Sequence, residues 1–143
     1  MIWRLRDEAD VYAARREARA LARSQGFGSR ESAEICIAVS ELAWNIVKFA
    51  GRGELEVRPV ESPTHGRGLE IVASDAGPPL HDLRFALEDG CDDRGPLSPE
   101  SLFGRRGIGG GLGAVRRFTD ELSYDATPAG KRFVAVRWQR RPR

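Results

Sequence analysis

The chain has 143 residues, 41% of them apolar and 31% charged, which suits one globular domain on the usual scale of about 100–200 residues. Lys+Arg (23) and Asp+Glu (21) leave a net charge of +2, so there is no electrostatic case for nucleic acid. Cys36 and Cys91 stand in no metal or disulfide spacing, and neither a membrane span nor a signal peptide can be read. The expectation is a single cytoplasmic domain over 1–143.

Ile2–Arg6 alternates apolar and charged residues and predicts a short edge strand. Val11, Ala14, Ala18, Leu21 and Ala22 then fall at helical spacing within Glu8–Gln25, and Gly26-Phe27-Gly28 stops that helix. Ser29 reads as the N-cap of a second helix reaching about Ala50. Its core-facing stripe is Ile35, Ala38, Val39, Leu42, Ile46 and Phe49. Strands are predicted at Glu54–Val60 and Leu69–Ser74, joined by a loose loop over Glu61–Gly68. A short helical stretch follows near Asp82–Asp89. Gly90–Gly113 is rich in glycine and lacks periodicity, and a loop of that length is functional or mobile. A last helix, about Gly111–Asp120, leads into strands near Glu121–Ala126 and Arg132–Trp138. His65 and His81 fall in loops, where solvated side chains without partners are expected. The order implies a mixed, largely antiparallel sheet with helices on one face.

Three clusters could carry chemistry. Glu41 and Asn45 lie one helical turn apart, on a face bordering the apolar stripe. There an Asn oxygen can ligate Mg²⁺ and a Glu can act as general base near a phosphate chain. The same pair also suits an ordinary solvated helix face. Asp75-Ala76-Gly77 ends an apolar strand; its carboxylate can accept from an exocyclic amine such as adenine N6, and Gly77 lets the backbone approach the ring. The same residues also make an ordinary turn. Finally, Gly107-Ile108-Gly109-Gly110-Gly111-Leu112-Gly113 opens a helix, exposing amides beside the positive end of its dipole. A flexible linker is the plainer alternative there.

Taken in order, these clusters resemble the GHKL (Bergerat-fold) ATPases. Ser40–Gly51, Glu88-Asp89-Gly90, Gly109-Gly110-Gly111-Leu112 and Val136-Arg137-Trp138 resemble the RsbT/RsbW group of small bacterial serine kinases and anti-sigma factors. The RsbT-type stressosome switch kinases look nearest. The resemblance implies an α/β (α+β) two-layer sandwich whose mixed, mostly antiparallel sheet is covered on one face by helices. It implies ATP or ADP with Mg²⁺: Asn45 on the metal, Glu41 as base toward a protein hydroxyl, Asp75 selecting adenine and Gly77 flanking the ring. The backbone of Gly107, Gly109, Gly110, Gly111 and Leu112 would line the phosphates, under a lid at about 90–113. Arg-Arg pairs are usually solvated, but Arg105 and Arg106 are placed to reach a γ-phosphate from that lid. Pro79 replaces a family glycine and stiffens the adenine pocket. Gly130-Lys131 stands where the family has Gly-Thr, losing a hydroxyl that supports the Asp.

The activity implied is an ATP-dependent serine/threonine protein kinase of a partner-switching module, of stressosome or anti-sigma type. Its expected partner is a STAS-domain antagonist or scaffold, with a PP2C-type phosphatase, a sigma factor or a second copy of the chain as further partners. The alternative is a nucleotide-binding anti-sigma factor, or a phosphatase-activating binder, with little or no kinase activity.

Overall fold

Asp7 opens the first helix, α1 (Glu8–Ser24), by accepting the Asp10 amide at 3.1 Å, which satisfies one of the helix's orphan donors. Gly26, at φ +95°, closes it. Its N–H donates to Arg23 O and the Phe27 N–H donates to Ala22 O, both at 3.1 Å, the paired bonds of a glycine-terminated helix. Phe27 then drops into the core. The structure is a computed structural model and describes residues 1–79, 91–92, 95–96 and 111–140. The expected helical stretch at Asp82–Asp89, His81 and most of the Gly90–Gly113 segment lie outside the described residues.

The second helix, α2 (Ser29–Phe49), starts differently from the expectation. Gly28 holds the N-cap position and no side chain caps the helix. Ser29 is already helical, and its hydroxyl accepts from the Arg23 guanidinium instead. At the other end Phe49 leaves the core and is 44% exposed, with the Lys48 ammonium 5.2 Å from its ring centre. Ile46 is the last fully buried side chain of α2, so the helix outruns the layer it covers.

Five strands form one sheet: β1 (Ile2–Leu5), β2 (Gly53–Ser62), β3 (Gly66–Asp75), β6 (Glu121–Thr127) and β7 (Gly130–Trp138). Their order is β1-β2-β3-β7-β6, and every described pair in it is antiparallel. A two-residue ladder joins β4 (Cys91–Asp92) to β5 (Gly95–Pro96). The third helix among the described residues, α3 (Leu112–Phe118), packs on α2. β2 and β3 are longer than the sequence suggests, which shrinks the expected loose loop to Pro63–His65. The Ser62 hydroxyl fixes that turn by accepting the Thr64 and His65 amides, each at 3.2 Å. His65 is exposed but not partnerless: its ring stacks on Trp138 at 5.0 Å and 18°.

The core lies between the helices and one face of the sheet. Val11, Ala14, Ala18 and Ala22 of α1 meet Ile35, Ala38, Val39, Leu42 and Ile46 of α2. The sheet contributes alternate residues, Leu55 and Val57, Leu69, Ile71 and Ala73, then Phe133 and Ala135. This is an α+β arrangement with helices covering one face. Among the described residues no helix is long and apolar enough to cross a membrane.

Candidate functional site

Period-two alternation carries the inner face of β3 past Ala73 to Asp75, and that of β7 back past Phe133 to Lys131. These two residues are register partners. The Lys131 Nζ lies 2.9 Å from Asp75 Oδ1, with the side chains only 1% and 3% exposed. Oδ1 also accepts the Gly77 N–H at 2.8 Å, so the carboxylate closes its own turn as an Asx residue does.

Three glycines pack close around Asp75, two of them against the backbone of its strand end. A Cβ on Gly130 (φ +151°) would stand 2.1 Å from Asp75 O, and one on Gly53 2.5 Å from Ser74 O. At Gly77 it would meet Ala50 Cβ at 2.8 Å and Asp75 Oδ1 at 3.0 Å. The glycine at 77 therefore has a packing reason: it seats the turn against the end of α2. Asp75 is held from three sides with little room to move.

Ala50 is the C-cap of α2, so that helix runs directly up to the Asp75–Gly77 turn. With a rise of about 1.5 Å per residue, Asn45 stands about 7 Å and Glu41 about 13 Å back along the axis. Asn45 is half-buried. Glu41, expected at the border of the core, lies inside it at 4% exposure, so a solvated helix face does not describe it. Glutamate is rarely buried to this degree.

Gly111 is the N-cap of α3 with φ +58° and ψ −133°, a conformation that favours glycine. The Ala114 N–H donates to its carbonyl at 3.1 Å. Leu112 is 5% exposed and belongs to the core, which leaves only its backbone for a ligand. Arg105, Arg106, Gly107, Gly109 and Gly110 lie outside the described residues.

The structure brings Asp75, Gly77 and the end of the Glu41–Asn45 helix together. It adds three residues that spacing alone did not single out as builders: Lys131, Gly53 and Gly130. The hydroxyl expected to support Asp75 is replaced by an ammonium, so the support is ionic, not lost. Pairing the strand start Gly130-Lys131 with the strand end Ser74-Asp75 would have revealed it. The donor set also suits a bound nucleotide. A fixed carboxylate accepts an amine, and among the described residues no group of three or more His, Cys, Asp or Glu could hold a metal alone. Mg²⁺ carried on phosphates needs only one or two protein oxygens, and Asn45 can supply one.

A backbone of this order, with α2 ending against the Asp75–Gly77 turn, defines a class. Residues 5–138 match the family model of the histidine kinase-like ATPase domain, and the chain belongs to that family. It is similar to serine/threonine-protein kinase RsbT of Bacillus subtilis (strain 168), 36% identical over 138 residues, which cover 96% of this chain and 95% of the relative. Among solved structures it is similar to a chain of the SiaB–SiaC complex from Pseudomonas aeruginosa. The TM-score is 0.54 at 12% identity, covering 96% of this chain and 88% of that one. At that identity the likeness shows the fold alone.

Proposed function

We propose that this chain is an ATP-dependent serine/threonine protein kinase of a cytoplasmic partner-switching module, of stressosome or anti-sigma type, acting on a STAS-domain partner. What carries the reading is the convergence of α2 on Asp75: a buried Glu and a half-buried Asn share the helix whose end packs against Gly77. The likeness to a serine/threonine kinase over nearly the whole chain supports the same activity.

In this reading Asp75 and Gly77 bind the nucleobase. Asn45 would give one oxygen to Mg²⁺, which when bound would neutralise charge on the phosphates. Glu41 takes the proton from the partner's hydroxyl as that oxygen attacks the γ-phosphorus, the bond from the γ-phosphorus to the β-phosphate oxygen breaks and ADP leaves. The amides of Gly107, Gly109, Gly110, Gly111 and Leu112, with Arg105 and Arg106, serve the phosphates. Phosphorylation then releases the partner and frees this chain for another, a PP2C-type phosphatase, a sigma factor or a second copy of itself.

The test is transfer of labelled phosphate from ATP to a STAS-domain protein encoded beside this chain. Glu41→Ala is expected to keep nucleotide binding and slow transfer by about 10²–10⁴-fold, the usual contribution of a general base. Nucleotide binding without any transfer by the wild type would leave a binding module in place of a kinase.

A further inference from the structure

Among the described residues, the ion pair at the floor of the candidate nucleotide site leaves bonding capacity on both sides. Asp75 takes two bonds on Oδ1, from Lys131 Nζ at 2.9 Å and Gly77 N at 2.8 Å. No described residue donates to Oδ2. An ammonium carries three donors, yet Lys131 places one of its protons on Asp75 and has no other acceptor among the described residues. At 1% side-chain exposure, a cation so sparsely bonded is costly unless further acceptors reach it. Neither partner can swing away easily, because Gly130 and Gly53 pack the strand ends against each other.

A ligand that completes this pair offers one donor and one acceptor side by side. A carboxylate alone can only accept, so it takes an amino group and repels an oxo group. With the ammonium beside it, an oxo group finds a donor as well. Both kinds of purine edge satisfy the pair. Adenine gives N6–H to Asp75 and its N1 accepts from Lys131. A 6-oxopurine gives N1–H to Asp75 and its O6 accepts from Lys131.

We propose that Lys131 is a specificity-determining residue that widens the nucleobase site from adenine to purines bearing either an amino or an oxo group at position 6. The inference rests on the nucleotide-site reading above and names the substrate class of that site.

Calorimetric titration of the full chain with ATP, GTP and ITP, each with Mg²⁺, tests it. The three nucleotides are expected to bind within about tenfold of one another. Lys131→Met should weaken all three by about 10–100-fold, the loss expected when a hydrogen bond to a charged group is removed, and GTP and ITP more than ATP, because O6 is then left beside a carboxylate with no donor. Lys131→Thr should shift the ratio in the same direction, and thermal unfolding identifies which variant is folded. A wild type that prefers ATP over GTP and ITP by more than about 100-fold overturns the proposal, since a lone acceptor discriminates at least that well. A folded variant with an unchanged ratio overturns it too. ATP binding alone would leave the nucleotide reading standing and sink only this inference; no binding of any triphosphate would sink both. The wild-type series requires no variant, so it decides the matter even if neither substitution folds.

Discussion

Lys131 and Arg137 both point from the inner face of β7, both are buried, and both meet acids, yet they do opposite work. Arg137 Nη1 donates to Glu34 Oε2 at 2.9 Å and to the Phe118 carbonyl at 2.8 Å, and Nη2 lies 3.8 Å from Glu31 Oε2. That single guanidinium ties the sheet to the first turns of α2 and to the last residue of α3, where carbonyls are otherwise unpaired. Its Nε and Glu31 Oε2, both buried, have no hydrogen-bond partner among the described residues. Among the same residues Lys131 makes one bond, to a carboxylate that keeps an oxygen without a described donor. The two pairs therefore differ in what they join. Arg137 ties the sheet to two helices and is scaffold, whereas Lys131 meets a single carboxylate at the candidate site.

The largest stability effect should come from the Arg137 end. Arg137→Met leaves Glu34 and the Phe118 carbonyl without their shared donor, and breaking one partner of a buried pair costs about 3–5 kcal/mol. Urea unfolding should show that loss, while nucleotide affinity at the other end of the strand stays within about twofold, as separated sites add nearly independently. A matching fall in affinity would erase the division of labour between the two ends.

Asp75→Asn probes the other end, with a smaller effect of a different kind. The amide oxygen can still accept the Gly77 N–H, so the turn survives. The base loses its charged acceptor, and affinity for purine nucleotide should drop about 10–100-fold. Lys131 also loses its counter-ion, so the variant is destabilised. Adding Lys131→Met to Asp75→Asn should recover stability without recovering affinity, because it removes the stranded cation. Recovery of both would make the pair structural, like its counterpart at Arg137.

The scaffold was far more legible in the sequence than the site. Helices and strands announce themselves by period, and Gly26, Leu55, Val57, Leu69 and Ile71 behave as their spacing requires. What failed did so where a tertiary contact overrode a local signal. Ser29 looks like a cap until Arg23 takes its hydroxyl, and Phe49 continues a stripe after the layer beneath it has ended. Glu41 and Asp75 were visible as candidates from motif order, but not their depth. The resemblance set position 131 beside Asp75 as a lost support; that Lys131 pairs with it ionically depends on the register of two strands 56 residues apart. Local chemistry can nominate a carboxylate; only topology supplies the cation beside it.

The smallest effect separates the two ends by the same substitution. Gly51, in the turn after α2 at the Asp75 end, has φ +81° and open space around it. Gly51→Ala therefore meets only the backbone penalty of a left-handed conformation, about 1–2 kcal/mol, and breaks no contact. Gly26, at the Arg137 end, has φ +95°, but its added Cβ would stand 2.8 Å from Gln139 Nε2. That amide donates to the Gly26 carbonyl at 2.8 Å and joins the chain after β7 to the α1–α2 turn. Gly26→Ala should carry the same backbone penalty plus the displaced bond, about 0.5–1.5 kcal/mol more. Thermal unfolding of the two variants side by side measures the difference. Equal losses would mean that Gln139 yields without cost, and that the scaffold end is looser than its bonded arginine implies.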